Sequence, residues 1–169
     1  MAITGGCLCE AVRYEVQGDL LRAGSCHCSM CRKAHGAAFG TYAEVPEGGF
    51  RWTRGEDLVR VYASSPEGGR AFCSRCGSTL GAVEKDELRW LTLGTVDGDP
   101  GIRPQAHIFV ASKAHWDEIN DELPRFDDYP PELQKDYVSW GAGKFWLDPA
   151  FDRAPAEFRE FAVRREYRV

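Results

Sequence analysis

Apolar and polar positions alternate with a period of two over short runs through the first two thirds of the chain. Ala11 to Val16 alternates and is rich in β-branched and aromatic residues, as a half-buried strand is. The same reading predicts strands at Phe39–Val45, Phe50–Thr53, Leu58–Tyr62, Arg70–Cys73, Ser78–Val83, Arg89–Val96 and Ala106–Ala111. Turns are predicted at Arg54–Asp57, at Glu67–Gly69 and at the charged stretch Glu84–Glu87. Several short strands with regular turn signals predict a mainly β fold.

The pattern changes in the last third. Pro124, Pro130, Pro131 and the pair Asp127–Asp128 mark a surface connection. Beyond it, Pro131–Trp140 and Pro155–Tyr167 read as short helices. The second places Phe158, Phe161, Ala162 and Arg165 on one face, so the tail is expected to pack aromatic residues on the sheet. A lid over a site and a homodimer contact are the alternative uses of that tail.

Composition narrows the class. The 169 residues are enough for one sizeable core, and 43% hydrophobic with 28% charged residues is ordinary for a soluble domain. A formal net charge of −5 repels phosphate backbones, so no nucleic-acid partner is expected. No apolar run approaches the roughly 20 residues that span a bilayer, so no membrane role is expected. The start Met1–Gly6 has neither a basic region nor an apolar core, unlike a secretory leader. The sequence therefore predicts a cytoplasmic protein with reduced cysteines.

The cysteines carry the chemistry. There are seven, an odd number that a complete disulfide framework cannot use. All fall in three clusters: Cys7-Leu8-Cys9, Cys26-His27-Cys28-Ser29-Met30-Cys31, and Cys73-Ser74-Arg75-Cys76. Thiolates one or two residues apart fold onto a single ion, and four of them close a tetrahedral zinc site. Gly77 after Cys76 lets the backbone turn under the metal. Scattered core cysteines would not cluster in this way.

Seven is four plus three. Three thiolates leave one corner of the tetrahedron open for a ligand, as in catalytic zinc sites. Two thiolates already cancel the charge of zinc, so a three-cysteine site is net negative. Such a site suits a soft thiol ligand better than zinc-hydroxide chemistry. Spacing alone allows two groupings. Cys28/Cys31 could pair with Cys73/Cys76 across 41 intervening residues, or Cys7/Cys9 could pair with Cys73/Cys76 and leave Cys26, Cys28 and Cys31 together. The compactness of three ligands within six residues favours the second.

Gly5-Gly6-Cys7-Leu8-Cys9, Cys26–Lys33 and Phe72–Gly77 resemble, in order, the glutathione-dependent formaldehyde-activating enzyme family, also called the centromere-protein-V-like family. The stretch His107–Lys113 followed by Trp116 resembles the end of that family's domain. The resemblance covers roughly residues 2–129. It implies a zinc-organised β-tent of two small antiparallel sheets over residues 1–129, with residues 130–169 as a C-terminal extension packed on it. It assigns a structural zinc to Cys7, Cys9, Cys73 and Cys76, and a catalytic zinc to Cys26, Cys28 and Cys31. It implies a carbon–sulfur lyase that joins glutathione and formaldehyde reversibly into S-hydroxymethylglutathione.

In that chemistry a substrate thiolate attacks the aldehyde carbon, and the alkoxide formed needs a donor. Arg32, Lys33 and His35 follow the cysteine triad and are candidates for that task, against a plain solvated basic run. His27 is read either as a hydrogen-bond partner of a thiolate or as exposed, His107 as a satisfied core histidine, and His115 as a surface residue. Two other function classes compete. One is a binding module with purely structural zinc. The other is a redox enzyme using Cys26, Cys28 or Cys31 as a reactive thiol.

Overall fold

Val12, Tyr14 and Val16 repeat at every second position, and all three lose essentially all contact with solvent. That period-two burial makes a strand one wall of a core. The computed structural model describes residues 2–64, 68–84 and 86–130. The predicted tail helices at 131–140 and 155–167 lie outside the described residues.

The described chain is mainly β, in two sheets. Its strands are β1 (Ile3–Gly6), β2 (Arg13–Val16), β3 (Ala23–Cys26), β4 (Gly40–Glu44), β5 (Phe50–Arg54), β6 (Val59–Ala63), β7 (Gly68–Cys73), β8 (Thr79–Glu84), β9 (Glu87–Thr92) and β10 (His107–Ile108). One α-helix, α1 (Ser29–His35), joins β3 to β4. The smaller sheet has the order β1-β2-β5 and the larger β10-β3-β4-β9-β8-β7-β6. All pairings are antiparallel except β10 with β3 at the edge.

The two sheets meet over one core that includes Tyr14, Val45, Leu80 and Leu91. Each fully buried apolar side chain contributes about 2 kcal/mol. The Tyr14 hydroxyl reaches Thr95 Oγ1 at 2.9 Å, so the one polar atom of that ring is satisfied. Cys7 and Cys73 are buried in the same core.

The larger sheet also has a second face. Register places Gly24 opposite Tyr42, Trp90 opposite Ala82, and Ala82 opposite Arg70. Directly opposed residues share a face, so these side chains look out on the side away from the main core. A second cluster, with Cys26, Cys28, Cys31, Tyr42 and Phe109 at its centre, forms there.

Most predicted strands are present, with differences that have local causes. The strand expected to reach Val96 stops at Thr92, where Leu93–Thr95 turns and the Thr95 hydroxyl donates to Thr92 O at 2.7 Å. The strand expected at Ala106–Ala111 keeps only β10. Phe109 sits at φ 57 and leaves the extended conformation. A bulky residue with positive φ is a true outlier. The Phe109 ring is packed edge-on against Tyr129 at 4.8 Å. The segment expected to be only a surface connection lies beside β10 instead. His107 N donates to Pro124 O at 2.8 Å, and Phe126 N to His107 O at 2.9 Å. Two short strands, β1 and β3, and the helix α1 are unpredicted. Among the described residues no helix is long and apolar enough to cross a membrane.

Candidate metal centres and cleft

All seven cysteines are free. The folded chain gathers them into two groups that could hold a metal ion, Cys7/Cys9/Cys73/Cys76 and Cys26/Cys28/Cys31, with the sulfurs of each group within 4.8 Å of one another. Cys28 and Cys31 do not join Cys73 and Cys76.

The four-cysteine group is built from two turns. Cys7 and Cys9 follow β1, and the Val12 amide donates to Cys7 Sγ at 3.3 Å. Cys73 ends β7 and Cys76 follows in a turn closed by Gly77 N donating to Cys73 O at 2.8 Å. Gly77 adopts φ 78, a conformation that side-chain-bearing residues avoid. The Leu8 amide donates to Ser78 Oγ at 3.0 Å and stitches the two turns together. Cys7 and Cys9 sulfurs are 3.5 Å apart, and those of Cys9 and Cys73 are 4.0 Å apart. A tetrahedron of zinc–sulfur bonds has edges of about 3.8 Å, so the donor set fits zinc. Hydrogen bonds from the Ser78 hydroxyl and backbone pull the Cys76 thiol down to about 5. The Ala11 amide favours the Cys9 thiolate, yet burial and crowding by Cys7, Cys76 and Cys73 push it up to about 11. Crowded thiols that share negative charge are what a cation relieves.

The three-cysteine group is local. Cys26 ends β3, Cys28 caps α1, and Cys31 lies in its first turn. The Cys28 sulfur accepts from the Cys31 amide at 3.4 Å, taking the place of the usual hydroxyl cap. Gly36 closes the helix in the left-handed conformation, φ 58. All three cysteines are buried. Contacts with Cys26 and Cys28 hold the Cys31 thiol well below its ordinary value against the effect of burial, while the same contacts raise Cys26.

This group opens on a cleft of about 590 Å³ with its solvent mouth. Gly24 and Ala82 keep its floor low, and Tyr42, Trp90, Ile108, Phe109 and Tyr129 form apolar walls. Arg70 is the one charged side chain lining it among the described residues. The Tyr42 hydroxyl is 2.6 Å from His35 Nε2, and Arg70 donates to the same oxygen at 3.3 Å. Burial drives the Tyr42 hydroxyl far above its ordinary pKa, so it stays protonated and keeps a hydrogen to donate.

The sequence candidates beside the triad divide between the alternatives read for them. Arg32 donates to the carbonyls of His27 and Ser112 and clamps the backbone behind the triad. Lys33 is exposed. His35 reaches the cleft only through Tyr42. His27 is fully buried, neither exposed nor bonded to a thiolate. Its Nε2 pairs with His107 Nδ1 at 2.8 Å, and His107 Nε2 lies 3.0 Å from Asp121. His107 is thus the satisfied core histidine the sequence suggested, and His115 is exposed as expected. Tyr42 and Arg70 were missed. Tyr42 lies in a strand without a motif, Arg70 lies three residues before Cys73 in β7, and no local signal marks either one.

The sequence profile described as "Glutathione-dependent formaldehyde-activating enzyme" matches residues 2–112. A Halomonas elongata protein named "Putative glutathione-dependent formaldehyde-activating enzyme" is 32% identical over 148 residues, covering 78% of this chain and 91% of that protein. A crystal structure of a Rhodobacter sphaeroides protein aligns with a TM-score of 0.45 at 25% identity, covering 57% of this chain and 89% of that one.

Proposed function

The chain belongs to the glutathione-dependent formaldehyde-activating enzyme family, and from that premise we propose that it is a zinc-dependent carbon–sulfur lyase acting on thiol–aldehyde adducts. Glutathione and formaldehyde, named for the family and for the Halomonas relative, are the substrates proposed first. The observation that carries the reading is the asymmetry of the cysteine groups. Cys26, Cys28 and Cys31 form the base of a cleft, while Cys7, Cys9, Cys73 and Cys76 line none of it.

In this reading the four-cysteine group holds a structural zinc. Cys26, Cys28 and Cys31 hold the catalytic one, which supplies a positive charge that lets a substrate thiol bind as its thiolate. The apolar walls limit the adduct's contact with water, and the mouth of the cleft leaves its hydroxyl a path to solvent. When the adduct breaks down, its hydroxyl loses a proton to solvent, the carbon–oxygen double bond forms, and the carbon–sulfur bond breaks with its electron pair returning to sulfur. In the reverse direction the oxygen gathers negative charge, and the Tyr42 hydroxyl is the nearby donor that can meet it. Seven free cysteines in such chemistry suit the reducing cytoplasm, where we place the reaction.

The test is the exchange rate between free glutathione and its formaldehyde adduct, followed by NMR. The zinc-loaded protein is expected to accelerate exchange, and Cys26→Ser to abolish the acceleration while leaving the circular dichroism unchanged. Native mass spectrometry is expected to find two zinc ions in the parent and one in the variant. Full activity in Cys26→Ser, or a single zinc in both proteins, would overturn the proposal.

A further inference from the structure

Arg70 stands in an unusual place for an arginine. It is half-buried on β7, faces an apolar cleft, and has no carboxylate among the ion pairs of the described residues. Its hydrogen bond goes to a neutral phenol, that of Tyr42. Burying a guanidinium against aromatic walls is costly unless a negative charge faces it. The groups that share the cleft with it and can carry negative charge are the sulfurs of Cys26, Cys28 and Cys31.

Charge counting shows what that cation can do beyond balancing the cysteines. A divalent ion with three thiolates carries a net charge of −1, and a substrate thiolate would raise it to −2 inside a mostly apolar cleft. Like charge would then oppose the binding step on which the proposed chemistry depends. We infer that Arg70 is the counter-charge that admits an anionic sulfur ligand to the Cys26/Cys28/Cys31 centre, so that this cleft selects thiolates. The inference rests on the metal-bound thiol reading above. Arg70 acts through charge and position: β7 holds it on one face, and Tyr42 fixes the end of the guanidinium. On binding, the S–H bond of the ligand would break, its proton would leave to water, and its electron pair would stay on sulfur, shared with the ion that Cys26, Cys28 and Cys31 would hold. No oxidant or reductant takes part.

The experiment is a titration of cobalt(II)-substituted protein with 2-mercaptoethanol, an uncharged thiol whose only ionising group is its sulfur. Binding is read from the sulfur-to-cobalt charge-transfer absorption and metal content from native mass spectrometry, so no turnover is needed. Arg70→Gln is expected to hold two metal ions and to bind the probe about tenfold more weakly, the scale of one lost charge interaction in a partly buried site. Arg70→Lys keeps the charge and is expected to stay within about threefold of the parent. Equal probe affinity in the parent and Arg70→Gln overturns the inference and leaves the lyase reading standing. Equal weakening in Arg70→Lys and Arg70→Gln overturns the role of charge. Absence of any thiol signal in the parent, with both metals bound, overturns the thiol-ligand reading and the inference with it.

Discussion

Tyr42 shows how much one side chain can organise. Its hydroxyl is shared by His35 and Arg70 and faces the thiolate-bearing end of the cleft. Arginine can only donate, so the phenol oxygen accepts from Arg70. Tyr42→Phe is expected to cost about 1 kcal/mol in urea denaturation, because it leaves Arg70 and His35 without their shared partner. A zero cost would show that the trio carries no energy. His35 offers a pH test. Burial lowers its pKa, so the folded protein holds it neutral. The unfolded chain takes up a proton near the usual histidine value of about 6.5 and the folded chain does so only at lower pH. Stability is therefore complete above about 6.5 and is lost as pH falls below it, by at most about 1.4 kcal/mol per pH unit. His35→Gln is expected to flatten that slope between pH 7 and 5.5, whatever it does to the absolute stability. An unchanged slope would assign the acid loss to other groups.

At the level of elements, β7 does two jobs through its pleat. Ala71 and Cys73 are buried toward the core, while Arg70 and Phe72 take the opposite face. One strand thus ties the four-cysteine group to the cation of the cleft, with a period-two alternation that the sequence displays but does not interpret. The helix α1 is the converse case. Seven residues are too few for a 3.6-residue pattern to stand out, and its cap is a cysteine rather than a serine or aspartate. Gly36→Ala isolates the geometry of its end, because an added Cβ would meet nothing within 4 Å and only the left-handed backbone would oppose it. The expected loss is about 1 kcal/mol in denaturant titration. A neutral or stabilising result would mean that the turn relaxes without cost.

For the whole molecule, the two cysteine groups are predicted to differ in what their loss does. The four-cysteine group joins the turn after β1 of the smaller sheet to the end of β7 in the larger, and Cys7 and Cys73 belong to the main core. Cys73→Ser is expected to lose the zinc proposed for that group together with at least about 3 kcal/mol of stability, read as a lower melting temperature. Cys26→Ser should lose its metal and keep its fold. Similar melting temperatures for the two variants would deny the division of labour.

What the chain determined by itself is whatever is local. The period of two predicted a mainly β protein, and the three cysteine clusters with their four-plus-three count pointed to two groups that could hold a metal. Cys26, Cys28 and Cys31 lie within six residues, so a single capped turn is enough to converge their sulfurs. Tertiary structure decided the rest. Cys9 and Cys73 are 64 residues apart and meet only because two sheets close on one core. The sequence candidates for the cleft were the triad's chain neighbours, yet Arg32 turns to the backbone and Lys33 to solvent. The cleft takes its hydroxyl from β4 and its cation from β7, two strands that share a sheet with β3. Strand order and register set those distances, and they arise from non-local pairing that leaves no mark in the residues themselves.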